Sequence, residues 1–470
     1  MKTRYDRFLD LHTWTGVIAG MALFVAFYAG SFMVFHDSLH VWQSAGQAGH
    51  YERADAQAFM DNFLDAFPMA GEDFYLMLPG SGHGLSAIWF DQNHEGGAWR
   101  TVRPQEVAGE AYQSVPHSGL ADLVNSAHYS LTIPEIGIHL MGFVSLLFGV
   151  AMISGLVVHW PRIMRELFTL QHRGNTKRYW KNLHNVVGVL SFPFHMIFAI
   201  TGAAMGMLGL VMIMLGVLAF GPEVREAAAD AESVGPQQVQ ASGESAEPLP
   251  VEALLQRVDQ AAPELKPTFL RLRQVGDANG IAKIGGDSEG TLAPTGSVVL
   301  ALATGERVAM QVAGQRDINH ATLSGMYALH FATFGGFGVQ LLWCLLGLCG
   351  AFLFYSGNML WVASREKQGG RGLWFLIRAT PGICLGLCLA LSMTFVATPL
   401  LMNAGVQSVP LLEKGVFYLG WGGSLILALF GPPARSVLQL LRATALVTAL
   451  VPVSHGWATG AFVWTKLVEG

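Results

Sequence analysis

Long apolar runs alternate with polar stretches along the chain, and the alternation divides it into membrane-crossing and exposed segments. About 20 consecutive apolar residues cross the roughly 30 Å hydrocarbon core of a bilayer as a helix. Runs of or near that length occupy residues 11–35, 137–160, 181–202, 337–362, 376–400, 416–430 and 443–467, so the pattern predicts seven spans. In the third, apolar character persists to Phe220, too long for one perpendicular crossing. That helix either tilts and projects or breaks among Gly202, Gly206 and Gly209. Residues 1–10 are charged, and the apolar run behind them is span-length without a small-residue cleavage site, so span one (residues 1–36) reads as a retained helix rather than a signal peptide.

Two polar regions interrupt the spans. In residues 37–136, the apolar spacing of residues 54–67 predicts a helix, and residues 74–78 and 85–90 read as strands, a small α+β module. Residues 221–329 open with an Ala, Glu, Ser, Gln and Pro-rich tract, residues 223–250, which reads as a linker. An amphipathic helix over residues 249–265 follows, then strands at 268–275, 280–285, 297–303 and 307–312, a helix with a small antiparallel sheet.

Composition fits this reading. Of 470 residues, 52% are hydrophobic and 13% charged, against roughly a quarter charged in soluble domains. A net charge of −5 leaves no basic field for nucleic acid, which is not expected as a partner. The positive charges sit beside spans instead. Lys2, Arg4 and Arg7 precede span one; the loop 161–181 holds Arg162, Arg165, Arg173, Lys177, Arg178 and Lys181 against Glu166; Arg365, Lys367, Arg371 and Arg378 follow span four; Arg435 and Arg442 flank the loop after span six. The positive-inside bias then predicts a cytoplasmic N-terminus, with both polar modules on the outer side of the membrane. Cys344, Cys349, Cys384 and Cys388 all lie in apolar runs and read as small packing residues.

Candidate chemistry resides in the histidines. Residues 181–202, KNLHNVVGVLSFPFHMIFAITG, place His184 and His195 eleven residues apart, three helical turns to within about 20° and roughly 16 Å in height. Ionisable side chains at membrane depth usually face a bundle interior and serve a site. The two read as axial ligands for two stacked haems, or as separate histidines hydrogen-bonded between helices. Charge-derived orientation sorts His12, His159 and His184 to an inner level and His128, His195 and His330 to an outer one. His36 and His40 end span one, His139 opens span two, and His455 follows Pro452 in span seven. Tyr51, Tyr75, His83, Trp89, His94 and Trp99 are available external side chains, but no spacing among them selects a site. No GxGxxG unit with a following acidic residue is present, so direct NAD(P)H oxidation is not expected.

The motifs LHTWTG in span one, HYSL with GLVVHWPR around span two, LHNVVGVLSFPFHMIFAITG in span three and LHFATFGG at span four resemble the PepSY-associated transmembrane family, bacterial inner-membrane proteins that include ferrisiderophore reductases. The closing TGE turn of the second module resembles a PepSY module, and the first module does so more weakly. The resemblance covers most of residues 1–365; residues 366–470, spans five to seven, look like the extension of longer members. It implies an all-α polytopic bundle with a four-helix haem core (residues 1–36, 137–220 and 330–365) and two small α+β periplasmic modules. It further implies two haem b groups, with His12 and His184 as inner iron ligands, His195 and His330 as outer ones, and His159 and His128 in reserve. Phe192, Phe194, Phe198 and Trp343 are candidates for packing on porphyrin, and Gly188 and Gly202 for letting it approach the backbone. The expected activity is ferric-chelate oxidoreduction: electrons from a cytoplasmic reductase or quinol reduce Fe(III) in a periplasmic ferric siderophore or other chelate, and Fe(II) is then held less tightly by hard oxygen donors. A proton-coupled siderophore or small-molecule permease and a non-catalytic membrane protein that binds a partner outside are the competing expectations.

Overall fold

The apolar runs fold into long helices, whose ends follow local chemistry. A computed structural model describes residues 3–45, 51–92, 97–107, 116–160, 176–221, 223 and 233–462. Two compact units are present, Met1–Phe35 with Pro116–Val211 and Phe337–Gly470, and His36–Val115 with Met212–Gly336.

In the first unit the helices are α1 (Arg4–Met33), α4 (Leu120–Ser130), α5 (Gly137–His159), α6 (Thr176–Leu190), α7 (Phe192–Leu215), α10 (Gly336–Arg365), α11 (Arg371–Asn403), α12 (Val409–Phe430) and α13 (Pro433–Thr459). Six helices among the described residues are long and apolar enough to cross a membrane: α1, α5, α7 with its extension to Phe220, α10, α11 and α13. The remaining expected span is α12, 22 residues that carry Glu413 and Lys414 near their start. α1 begins seven residues before the apolar run because Thr3 and Asp6 close a capping box, Asp6 N donating to Thr3 Oγ1 at 3.2 Å and Thr3 N to Asp6 Oδ2 at 2.9 Å. α13 likewise starts and ends earlier than its apolar run, and residues 463–470 lie outside the described residues.

The third span departs from expectation. It is two helices, and the interruption falls at Ser191 rather than among Gly202, Gly206 and Gly209. Pro193 has no N–H to give the carbonyl of Val189. The ladder resumes on both sides, Ser191 N bonding Val187 O at 3.0 Å and His195 N bonding Ser191 O at 2.9 Å. The glycines are contact points instead: a Cβ on Gly206 would lie 2.6 Å from Gly142 Cα, and one on Gly202 would lie 2.9 Å from Ser145 Oγ. Close backbone approach of this kind holds helices together in lipid.

α4, which carries the HYSL motif, belongs to the helical unit, not to the polar module of residues 37–136. Its start is anchored by Glu413, fully buried, which accepts from Ser118 Oγ at 2.5 Å, Gly119 N at 2.8 Å and, on α11, Thr398 Oγ1 at 2.7 Å. A buried carboxylate is tolerated when its oxygens are satisfied in this way.

The second unit contains α2 (His36–Gln43), α3 (Asp55–Ala66), β1 (Asp73–Met77), β2 (Ser86–Asp91), β3 (Ala98–Val102), α8 (Val251–Ala261), β4 (Leu265–Arg273), β5 (Ile281–Ser288), β6 (Thr295–Ala301), β7 (Arg307–Gln311) and α9 (Ile318–Phe331). Here the two expected modules are one. A single antiparallel sheet runs β3-β2-β1-β4-β5-β6-β7, and β1 and β4 join the halves through pairs such as Phe74↔Leu272 and Leu76↔Leu270. Strand alternation puts Phe74, Leu76, Leu270, Leu272 and Ile284 on one face, against Phe59, Phe63, Leu254 and Leu255 of α3 and α8. Residues of both halves share one buried core. The expected linker is partly structured: Arg273 donates to the carbonyls of Pro236 and Gln237 at 2.7 Å each, and Val234 packs on Val299. His330 sits on α9, separate from the span it was expected to introduce, and α9 falls in the second unit.

Leu270, fully buried on a central strand, tests the shared core. Leu270→Ala is expected to cost about 2–5 kcal/mol and to lower hydrogen-exchange protection in β1 and β5 together. Loss confined to residues 249–312 would show two independent modules.

Candidate functional site

At the end of the helical unit where α1 begins and α5 finishes, four helices enclose a cavity of about 670 Å³. Its size is that of a cofactor site, roughly 300–1,000 Å³. α1, α5, α6 and α10 each contribute a glycine, Gly16, Gly155, Gly188 and Gly357, and the first three contribute His12, His159 and His184. Thus the structure brings together all three histidines assigned from sequence to one level. The rim carries Lys177, Arg178, Lys181 and Arg365 against Asp10, which favours an anionic guest at the mouth. Of the expected basic loop, Arg162, Arg165 and Arg173 lie outside the described residues.

Two of the histidines are oriented for ligation. His12 Nδ1 donates to the carbonyl of Ala151 at 2.8 Å, and His184 Nδ1 lies 2.9 Å from Ser356 Oγ. Each bond points Nε2 the other way, and neither Nε2 has a hydrogen-bond partner among the described residues. This is the arrangement of metal-bound imidazole, whose second nitrogen is held by a carbonyl or hydroxyl. Both rings lie against glycine: a Cβ on Gly155 would stand 2.9 Å from His12 Nδ1, and one on Gly357 would stand 3.3 Å from His184 Cε1.

The cavity also suits a flat, partly anionic group. A Cβ on Gly16 would meet nothing within 4 Å and one on Gly188 only Leu353 at 3.7 Å, so both positions open onto space a side chain would fill. Two cavity-lining residues of α10 hold buried donors without a hydrogen-bond partner among the described residues, Asn358 Nδ2 and Trp361 Nε1. An orphaned buried donor costs about 1–3 kcal/mol, which a ligand acceptor would recover. Among the described residues, no group of three or more His, Cys, Asp and Glu is arranged to hold a bare metal ion. Paired imidazoles in an apolar slot are what a porphyrin iron requires.

The other candidates lie elsewhere. His195 is fully enclosed: Nε2 bonds Leu346 O at 2.9 Å, Nδ1 lies 3.1 Å from Ser191 Oγ, and Phe27 and Phe148 pack on the ring. The break at Ser191 therefore separates His184, in the cavity, from His195, in a packed aromatic layer. Phe198 belongs to that layer and Phe194 packs on Trp343 at 5.4 Å, while Phe192 lines the cavity. His128 repeats the His12 arrangement, Nδ1 bonding Ala26 O at 2.8 Å with Gly30 beneath the ring. His330, on α9, is in the second unit.

A further cluster was not foreseen from sequence. In the second unit His36, His40 and His83 gather, with His40 and His83 ring centroids 4.3 Å apart. Gln43 Nε2 donates to His40 Nδ1 at 3.0 Å, which places the His40 proton on Nε2, 3.2 Å from His36 Nε2. Burial first, then the positive charge of His83 and His36, pushes the His40 pKa down to about 3. The i, i+4 spacing of His36 and His40 was the available signal; the approach of His83 was not legible.

A family model described as PepSY-associated TM region matches residues 9–364. The uncharacterized protein PA4219 of Pseudomonas aeruginosa is 26% identical over 347 residues, 71% of this chain and 83% of that one. α11, α12 and α13 lie beyond the family match.

His40 makes the second unit acid-sensitive in a defined window. Unfolded, it protonates near 6.5; folded, near 3. The unfolded chain thus binds more protons between those values, so stability is full above pH 6.5 and falls toward pH 3, by up to about 1.4 kcal/mol per pH unit. His40→Gln should flatten that slope in acid-unfolding curves followed by tryptophan fluorescence.

Proposed function

The chain belongs to the PepSY-associated transmembrane family, and on that premise we propose that it is a di-haem b electron-transfer protein of the bacterial inner membrane that reduces ferric chelates, ferric siderophores among them, on the periplasmic side. The observation that carries the reading is the glycine-walled cavity with His12 and His184 turned toward it through Nε2. Haem b bound there supplies reversible one-electron chemistry at iron.

The residues divide the work. His12 and His184 would hold the iron, and Ala151 O and Ser356 Oγ fix their rings and would raise their basicity. His159 is the alternative third ligand of that level. Gly16 and Gly188 would admit the macrocycle, and Lys177, Lys181 and Arg365 would supply positive charge for its carboxylates. Of the candidates for the outer haem, His128 and His195 lie in the first unit and His330 in the second. His128 shares the Nδ1-to-carbonyl bond of His12, whereas ligation by His195 Nε2 would require the Leu346 bond to open. A cytoplasmic reductase or quinol supplies one electron per iron, and the chelated Fe(III) accepts it as Fe(II).

Purified protein reduced with dithionite should show a b-type spectrum at close to two haems per chain. His12→Ala and His184→Ala should each remove about one haem, and Gly16→Leu should remove the same one by filling the cradle. A colourless wild-type preparation would overturn the reading in favour of a permease or a non-catalytic binding protein.

A further inference from the structure

The second unit's sheet has a face turned away from its core, and its centre is chemically unusual. Tyr75 on β1, Arg271 on β4 and Lys283 on β5 stand side by side in register. Adjacent strands are about 4.8 Å apart, so the three side chains form one continuous row. Trp99 and Phe269 flank Tyr75 with ring centroids 6.5 and 5.9 Å away, and Phe90 lies 5.6 Å beyond Trp99. Trp99 is 65% exposed and Phe90 45%, so the aromatic end of the row is open.

The charges on this row do not balance. Asp73 pairs with Arg271 at 2.6 and 2.8 Å, and the Arg271 guanidinium stacks over Tyr75 at 5.2 Å. Arg273 is turned to the carbonyls of Pro236 and Gln237. Lys283 makes no hydrogen bond or ion pair among the described residues. Burial, and then the charges of Arg271 and Arg273, push the Lys283 pKa down. Three cations thus share the patch with Asp73 and keep an excess of positive charge beside exposed rings. A half-buried ammonium without a counter-ion costs free energy that an arriving anion would return.

We propose that this face binds an anionic chelate with aromatic donor arms, of the catecholate or phenolate class, its rings stacking on Tyr75, Trp99 and Phe269 and its negative charge meeting Lys283 and Arg271. Aromatic rings favour offset or edge contacts with such arms, and the charge excess selects against neutral hydroxamate chelates. The inference deepens the proposed function by naming the substrate class, and rests on it only for the identity of the metal at the chelate's centre.

The test separates binding from electron transfer by using gallium(III), which the protein has no means to reduce. Full-length protein in detergent is dialysed to equilibrium against a gallium(III) tris-catecholate complex and, separately, a gallium(III) complex of an uncharged trihydroxamate. The catecholate complex should bind and the trihydroxamate should bind far less. Lys283→Met should weaken catecholate binding about tenfold or more, the value of one charged hydrogen bond, and Tyr75→Ala should also weaken it. Lys283→Met replaces an unpaired cation with an apolar chain and should fold normally, and Lys266→Met, which breaks an exposed pair with Glu289, should leave binding unchanged. No binding, equal binding of both complexes, or unaltered binding by Lys283→Met would overturn the proposal. Ferric reduction that persists without catecholate binding would refute this face and leave the electron-transfer reading standing; gallium binding by a haem-free protein would do the reverse.

Discussion

An imidazole buried in an apolar bundle must place its N–H on an acceptor, and in this protein the acceptor is repeatedly a carbonyl already used by a helix. A carbonyl has two lone pairs and can take a second donor. The side chain four residues later normally overlies it. Ala26 is followed at that distance by Gly30 and Ala151 by Gly155, and His128 and His12 enter the gaps. Leu346 is followed by Gly350, where Phe27 enters and packs on His195, which takes the carbonyl. Glycine thus opens the carbonyl to the ring, through Nδ1 in His12 and His128 and through Nε2 in His195.

That device was only partly legible in the sequence. Membrane spans, the strands at Phe74 and Ile284 and the candidate histidines are all read from periodicity or motif, because each depends on neighbouring residues. The pairing of β1 with β4 does not. Nearly 200 residues separate Phe74 from Leu272, and nothing in either strand names its partner. The same holds for the ring contacts of His83 with His40 and for the unbalanced charge around Lys283. Pro193 stands inside SFPFH, but the apolar run continues through it, so hydropathy does not mark the interruption at Ser191.

The interruption matters for the division of roles along the third span. His184 and His195 were expected on one straight stripe, equivalent except in height. The structure gives them different surroundings, one beside open volume with a hydroxyl partner, the other closed in by Phe27, Phe148 and a backbone carbonyl. Spacing on an ideal helix sets direction; the packing of the neighbours decides whether there is room.

Glu413 carries a consequence for how the chain has been assembled. Its carboxylate satisfies the first turn of α4 from a helix outside the family match, and α4 bears His128. A shortened chain lacking α12 would leave the Ser118 hydroxyl and the Gly119 amide without that acceptor and so would need a substitute for it. The C-terminal helices are therefore wedded to the core by polar chemistry that cannot be trimmed without compensation.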